Sequence, residues 1–205
     1  MRFTDIVTDA EELRQLLGQP APLSTAKCLP ALDRHARAFI ERSPFVLIAS
    51  SNARGQTDVS PKGDPPGFVR VLDDTTLAIP DRLGNRRADT FLNILDNPRV
   101  GLLFLVPGKS ESLRVNGAAR IVRDAALRES MAVRGKTPDL ALAVEVEEAF
   151  FHCSKCMIRS SLWKPEAWPP LHGLPTLAEA LTEAAGIPVE ELETLVEKSE
   201  RERLY

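Results

Sequence analysis

The sequence predicts a mainly β protein with flanking helices, an α+β fold in which an antiparallel barrel or sandwich is preceded and followed by helical segments. About seven short runs of strand-forming residues, bounded by turn residues, lie in the middle of the 205-residue chain. Few helical patterns separate these runs, which disfavours a doubly wound sheet because that fold alternates strands with helices. The length fits one domain with appendages.

Residues 1–44 form the predicted N-terminal helical extension. Asp9 precedes an amphipathic pattern and is a candidate N-cap for a first helix. A second helix is expected over 30–42, and it ends before Pro44 because the residue before a proline disfavours helical geometry. The pattern changes to that of strands after this point.

The central domain, residues 45–168, contains the predicted strands. They are expected over 45–49, 57–60, 68–72, 75–79, 100–106, 113–122 and 149–158. The run at 100–106 is almost wholly apolar, as in a strand that is covered on both faces. Large apolar residues recur at every second position over 140–146, as in a strand. Asp124 is expected to cap a short helix.

The segment 80–98 combines turn residues, basic residues and a helical pattern. Asn85 is a favourable N-cap, so Arg86 and Arg87 are expected in the first turn of a helix. Cations there are unfavourable, because the helix N-terminus already carries about half a positive charge and each cation costs roughly 0.3–1 kcal/mol. A bound phosphate would reverse this effect, since free N–H groups and two guanidinium groups would converge on one anion.

A second explanation of the two arginines requires no ligand. In this alternative, Arg86 and Arg87 pair with Asp81 and Asp89, or extend into solvent. The residues alone leave both explanations open.

Two further polar clusters lie in the central domain. Ser60-Pro61-Lys62-Gly63-Asp64 follows the second predicted strand and offers a hydroxyl group, an ammonium group and flexible backbone, although such residues are also common in turns. Arg159-Ser160-Ser161-Leu162-Trp163 lies near the end of the domain. Its tryptophan is suited either to stacking on a planar ring or to ordinary packing.

Residues 169–205 form the predicted C-terminal helical tail. Prolines mark a linker at its start, and two helices are expected over 176–204. The net charge of −3 arises from 190–205, which holds six acidic and three basic residues. This charge favours a solvated helix face, with docking on a basic partner as the alternative.

Composition and charge exclude several classes of protein. The chain has no basic excess and no apolar run of the roughly 18 residues that a membrane span needs, so we expect neither nucleic-acid binding nor a membrane segment. Without an apolar signal core, a cytoplasmic protein is expected. The odd number of cysteines (Cys28, Cys153 and Cys156) favours reduced thiols. Because a structural zinc site needs four ligands, no metal is expected, and zinc or dithiol chemistry at the C-x-x-C motif remains the alternative.

Three segments carry a resemblance to a known family. They are Gly84-Asn85-Arg86-Arg87, Asn93-Ile94-Leu95-Asp96-Asn97-Pro98-Arg99-Val100 and Gly101-Leu102-Leu103-Phe104. These segments resemble the pyridoxamine 5'-phosphate oxidase-like family of FMN-binding split-barrel flavoproteins. Together with 60–64, 113–117 and 159–163, they are similar to a bacterial subgroup described as FMN-dependent enzymes. The resemblance covers 44–168.

The resemblance implies a six-stranded antiparallel split barrel that forms a homodimer with FMN at the subunit interface. It implies that Ser60, Lys62 and Gly63 lie beside the flavin ring and ribityl chain. It implies that Arg86 and Arg87 bind the phosphate, with Asn85 as a cap. It further implies that Arg114 and Asn116 face the flavin from a later strand, and that Arg159 and Trp163 complete the pocket from the partner subunit.

The implied function is that of an FMN-dependent oxidoreductase acting on a small-molecule substrate or a nicotinamide cofactor. No side chain is assigned as a catalyst, because the flavin supplies the redox chemistry. Residues 200–205 do not match the arginine- and histidine-bearing segment that holds pyridoxal phosphate in the true oxidase, so vitamin B6 oxidation is not expected. Two alternatives stay open: a flavin-binding module that stores or senses without turnover, and a deazaflavin or haem in place of FMN.

Overall fold

An antiparallel sheet of seven strands forms the centre of the structure, a computed structural model that describes residues 3–205. The strands are β1 (Phe45–Ser51), β2 (Thr57–Gly63), β3 (Arg70–Val71), β4 (Thr76–Pro80), β5 (Arg99–Leu105), β6 (Ser112–Val122) and β7 (Ala141–His152). They follow the order β2-β1-β5-β6-β7-β4-β3 across the sheet. The predicted α+β fold is confirmed, with seven strands where the resemblance implied six.

Helices precede and follow the sheet in sequence, and two further helices lie between its strands. They are α1 (Ala10–Leu17), α2 (Pro22–Ala26), α3 (Arg34–Arg42), α4 (Asp89–Asp96), α5 (Ala125–Ser130), α6 (Lys155–Arg159), α7 (Leu177–Ala185) and α8 (Val189–Glu202). Asp9 caps α1 as predicted. By contrast, α3 begins at Arg34 and not at Pro30, because the Asp33 side chain accepts hydrogen bonds from two N–H groups of its first turn.

The main hydrophobic core is built from the sheet together with α3. Phe39 and Ile40 of α3 are buried in the same cluster as alternate residues of β1, β5, β6 and β7. In β5 only one face is fully buried within the chain, whereas the expectation was cover on both faces. No helix within 3–205 has both the length and the apolar character needed to cross a bilayer. The domain boundaries at 44/45 and 168/169 stay predictions.

The last strand differs from the sequence expectation. β7 is one continuous strand paired along its length with β6, and the expected strand at 149–158 is wrong beyond His152. The short helix α6 takes its place, where the Ile158 N–H donates a hydrogen bond of 3.0 Å to the Ser154 carbonyl oxygen. The apolar pair at 150–151 therefore ends a strand that began earlier, and the residues after it lack the alternation of a strand.

The pairing of β6 with β7 contains a bulge next to Gly117. The register shifts between Asn116 and Gly117, so Glu147 of β7 has no partner in the ladder. A Cβ atom at position 117 would overlap the backbone carbonyl oxygen of Glu145. Only glycine allows the two backbones to approach so closely.

Replacing Gly117 with alanine is therefore expected to lower the free energy of unfolding by at least about 1–3 kcal/mol, because the backbone of β7 must move to admit the methyl group. Urea denaturation measures the effect. Gly84→Ala is the matched control, since a Cβ atom there lies no closer than 4.0 Å to the Arg82 carbonyl oxygen. Equal stability of the Gly117→Ala protein and the wild type would contradict this assignment.

Candidate functional site

A cleft of about 800 Å³ lies where three segments of the chain meet. Its walls are β2 over 58–62, the connection from β4 into α4 over 81–91, and the segment 136–140 that leads into β7. Tyr205 also lines it, although it lies far away in sequence. Pockets that hold small molecules and cofactors range from about 300 to 1,000 Å³, so the cleft is large enough for a mononucleotide.

The β2 wall presents polar side chains to the cleft. This strand continues to Gly63, beyond its expected end at Ser60, so the Ser60–Asp64 cluster lies largely in a strand and not in a turn. Residue burial alternates along β2, and Ser60 and Lys62 are both half-buried and both line the cleft. Pro61 is tolerated because β2 is an edge strand of the sheet.

The connection between β4 and α4 is longer than predicted, because α4 starts later in the sequence than expected. α4 begins at Asp89 with Ala88 at the N-cap position, and Arg86 and Ala88 have positive φ angles of 62° and 58°. Asn85 is thus not the cap of α4. Its side-chain oxygen accepts a hydrogen bond of 3.0 Å from the Arg87 N–H and so closes a turn inside the loop.

This later start has an electrostatic reason. An acidic residue, Asp89, opens α4 and interacts favourably with the positive end of the helix dipole. Arg86 and Arg87, which would destabilise a first turn, remain in the loop before it. The left-handed backbone of Arg86 and Ala88 is uncommon for residues other than glycine, and such conformations occur most often at functional sites.

The two loop arginines have different surroundings. The Arg87 guanidinium donates to both carboxylate oxygens of Asp89, at 2.8 and 3.4 Å, and Arg87 does not line the cleft. This bond raises the pKa of Arg87 and lowers that of Asp89. Arg86 does line the cleft, and within 3–205 it forms no ion pair. Arg87 thus matches the paired form of the ligand-free alternative. Arg86 is exposed, which matches the solvent-extended form of that alternative and also leaves its guanidinium group open to an anion.

The carboxyl group of Asp81, at the opposite end of the loop, is also perturbed. Burial raises the pKa of Asp81, the neighbouring Asp139 raises it further, and Lys62 opposes the shift. All three side chains line the cleft. Carboxylates held in an unfavourable environment inside a cleft are typical of binding and catalytic sites.

A buried ion pair joins two walls of the cleft. The Arg82 guanidinium donates to Asp64 at 2.6 Å and to the Met131 carbonyl oxygen at 2.9 Å, and the Asp64 side chain is only 1% exposed. The Tyr205 hydroxyl donates a hydrogen bond of 2.7 Å to the second oxygen of Asp64. This bond raises the pKa of Tyr205. Neither Arg82 nor Tyr205 has a role that a local sequence pattern indicates, since Asp64 lies 18 positions from Arg82 and 141 positions from Tyr205.

The segments that build this cleft match a known family. The model of the family described as pyridoxamine 5'-phosphate oxidase matches residues 32–153, which is more than half of the chain. The chain belongs to the pyridoxamine 5'-phosphate oxidase family. The family that was identified by resemblance is thereby confirmed, and the match runs from the start of α3 through the whole sheet.

Solved structures similar to this member of the pyridoxamine 5'-phosphate oxidase family are distant in sequence, and no curated protein matches the chain. HupZ from Group A Streptococcus is 22% identical over 58% of this chain and 93% of its own, with a TM-score of 0.48. General Stress Protein 26 from Bacillus anthracis is 14% identical over 56% and 88%, with a TM-score of 0.44. An FMN-binding protein from Syntrophomonas wolfei is 12% identical over 70% and 96%, with a TM-score of 0.43.

Six of the residues that the family resemblance implied do not line the cleft of one chain, and Arg87, which is paired with Asp89, is one of them. The Arg114 guanidinium lies 5.3 Å from the centre of the Phe150 ring, and Asn116 donates to Glu148 at 2.8 Å. The Trp163 indole N–H donates to the Lys109 carbonyl oxygen at 2.8 Å. The remaining two are Gly63 at the end of β2 and Arg159 in the last turn of α6. The binding roles of these six residues stay predictions.

Asp81→Asn is expected to raise the free energy of unfolding near neutral pH by up to about 1 kcal/mol. Because its pKa is raised in the folded protein, the native state binds the proton more tightly than the unfolded chain, and the ionised carboxylate costs stability above that pKa. The gain should shrink as the pH falls towards the ordinary aspartate pKa of 3.8.

Denaturant titrations at about pH 7 and about pH 4 measure this difference. Asp124→Asn is the control, because Asp124 is an exposed carboxylate that makes no side-chain capping bond. A gain of the same size at both pH values would contradict the interpretation of Asp81.

Proposed function

We propose that the protein is a homodimeric FMN-binding flavoprotein that acts as an FMN-dependent oxidoreductase, with the phosphate bound beside the 81–88 loop. One observation carries this proposal: Arg86 lines the cleft, forms no ion pair within 3–205, and precedes the N-terminus of α4. Membership of the pyridoxamine 5'-phosphate oxidase family supports it.

The donors around the cleft suit a mononucleotide. Arg86 supplies a guanidinium group, and the free N–H groups at the start of α4 favour an anion. Ser60 and Lys62 supply a hydroxyl and an ammonium group along β2 for the ribityl chain and the ring. Asn85 holds the loop through its bond to the Arg87 N–H.

The phosphate would change the partner of Arg87. In the structure its guanidinium binds Asp89, but both side chains are substantially exposed. An exposed ion pair contributes only about 0–1 kcal/mol, so exchanging the carboxylate for a phosphate costs little. In this proposal Arg87 therefore joins Arg86 when FMN binds.

The remaining residues complete the proposed site from other directions. Gly63, Arg114 and Asn116 are proposed to face the flavin. Arg159 and Trp163 are proposed to reach the cleft of a second copy, since neither lines the cleft of its own chain. A homodimer is part of the proposal for this reason.

Bound FMN would supply hydride-transfer chemistry, which no protein side chain provides. The chain would bind the phosphate, orient the ring against β2, and hold the positive charge of Lys62 beside it. A small-molecule substrate or a nicotinamide cofactor would approach the exposed side of the ring.

Arg86→Ala is expected to weaken FMN binding by about 1.5–3 kcal/mol, roughly 10- to 150-fold in Kd, because one charge-assisted contact to phosphate is lost. The Arg86→Ala/Arg87→Ala double variant is expected to lose more. Titration of the apoprotein followed by flavin fluorescence measures both. Arg120→Ala, which removes an exposed arginine on β6, is the matched control.

Riboflavin isolates the phosphate contribution, since it lacks that group. It should bind much more weakly than FMN to the wild type, and its affinity should be the same for the wild type and the Arg86→Ala variant. Equal losses for FMN and riboflavin would contradict a phosphate role for Arg86.

Anaerobic mixing of the FMN-loaded protein with NADH or NADPH tests the oxidoreductase assignment. A competent enzyme should lose the visible absorbance of the oxidised flavin and recover it when oxygen is admitted. A stable yellow protein that no nicotinamide or other reduced substrate bleaches would instead favour a non-catalytic flavin-binding module.

A further inference from the structure

Residues 203–205, which follow α8 and are called the strap below, make three hydrogen bonds to segments around the cleft. Arg203 donates to the Gly84 carbonyl oxygen at 3.4 Å. Lys136 donates to the Tyr205 carbonyl oxygen at 2.6 Å, and the Tyr205 hydroxyl donates to Asp64 at 2.7 Å.

These contacts reach three separate segments, of which Gly84 and Lys136 line the cleft and Asp64 lies two residues beyond the lining residue Lys62. Gly84 belongs to the loop between β4 and α4, Lys136 to the segment that leads into β7, and Asp64 directly follows β2. The strap is therefore bonded across the cleft and not to one wall of it.

The bond to Asp64 anchors the strap to a group that is itself held in place. This carboxylate is almost fully buried and is held by Arg82, so the Tyr205 hydroxyl meets an acceptor that is already fixed in place. A hydrogen bond to a charged acceptor is about twice as strong as one between neutral groups. The Tyr205 ring also lies near two guanidinium groups, 5.9 Å from Arg82 and 5.0 Å from Arg134.

Tyr205 of the strap lines the cleft without filling it. With Tyr205 in place, the cleft still has a volume of about 800 Å³. That space is still within the range of cofactor pockets. A segment that leaves this volume open is suited to closing over a ligand and not to occupying the ligand's place.

The helices that carry the strap are joined to the sheet chiefly through it. The most extensive contacts that α7 and α8 make are with each other. Within 3–205, the side-chain hydrogen bonds that tie residues after α7 to the sheet domain come from the three strap contacts. Release of the strap would therefore free one end of the helix pair without disturbing the main core.

We propose that the strap closes the cleft over the bound cofactor, and that breaking its contacts at Tyr205 and Arg203 sets the rate at which the cofactor enters and leaves. This inference rests on the proposed function, because it takes FMN as the ligand of the cleft. It adds a gate formed by residues 203–205 to that binding site.

The test compares FMN association and release in variants of the full chain. Tyr205→Phe removes only the hydroxyl group that binds Asp64, Arg203→Ala removes the contact with Gly84, and a third variant combines both. Arg201→Ala is the matched control, since its side chain is exposed and pairs only with the adjacent Glu202. Stopped-flow flavin fluorescence measures association, and large dilution of the FMN-loaded protein, followed by the recovery of free-FMN fluorescence, measures release.

Tyr205→Phe is expected to speed both association and release by about tenfold, because it removes one hydrogen bond to a charged acceptor from the closed state. The Kd should change less than either rate, and the double variant should exchange FMN faster still. The Arg201→Ala control should match the wild type.

The outcomes separate this inference from the proposed function. If the wild type does not bind FMN, the proposed function fails and the gate fails with it. If the wild type binds FMN but Tyr205→Phe and the double variant exchange it at the wild-type rate, the gate alone is refuted. Tighter binding in Tyr205→Phe without faster release would mean that the strap competes with FMN, which also refutes the gate.

Discussion

The cleft depends on the ion pair between Asp64 and Arg82. Asp64 follows β2, and Arg82 follows β4, yet four strands separate β2 from β4 in the order of the sheet. Their side chains meet at 2.6 Å only because the sheet curls so that these distant strands approach each other. Removing one partner of a buried pair typically costs about 3–5 kcal/mol, so the pair constrains the curvature that creates the cleft.

The path of the 81–88 loop avoids an unfavourable electrostatic interaction between its arginines and the dipole of α4. A helix that began at Asn85 would place two guanidinium groups against the positive end of its own dipole. The chain avoids this by starting α4 at Asp89, which leaves Arg86 in left-handed backbone at the cleft. The charge of Arg87 is neutralised by Asp89, whereas that of Arg86 is not paired within 3–205. Of the two loop arginines, only Arg86 therefore has no carboxylate partner among the described residues.

The elements that follow from local pattern were predictable, and those that follow from distant contacts were not. The run of strand-forming residues at 113–122 located β6, and the Asp9 cap located α1. The end of β2, the continuity of β7 and the start of α4 depend on partner strands and on loop geometry, which one sequence does not display. The cleft positions of Ser60 and Lys62 followed from the family resemblance, whereas Tyr205 reaches Asp64 only through the path of the helical tail.

The charges of the cleft indicate why a guanidinium group would decide where an anion binds. After Arg82 and Asp89 are paired, the charged lining residues are Asp58, Asp81 and Asp139 against Lys62, Arg86 and Lys136. These charges balance formally, so net charge does not select a position for an anion and local geometry has to do so. Lysine offers a point charge, whereas the planar fork of Arg86 matches two phosphate oxygens at once.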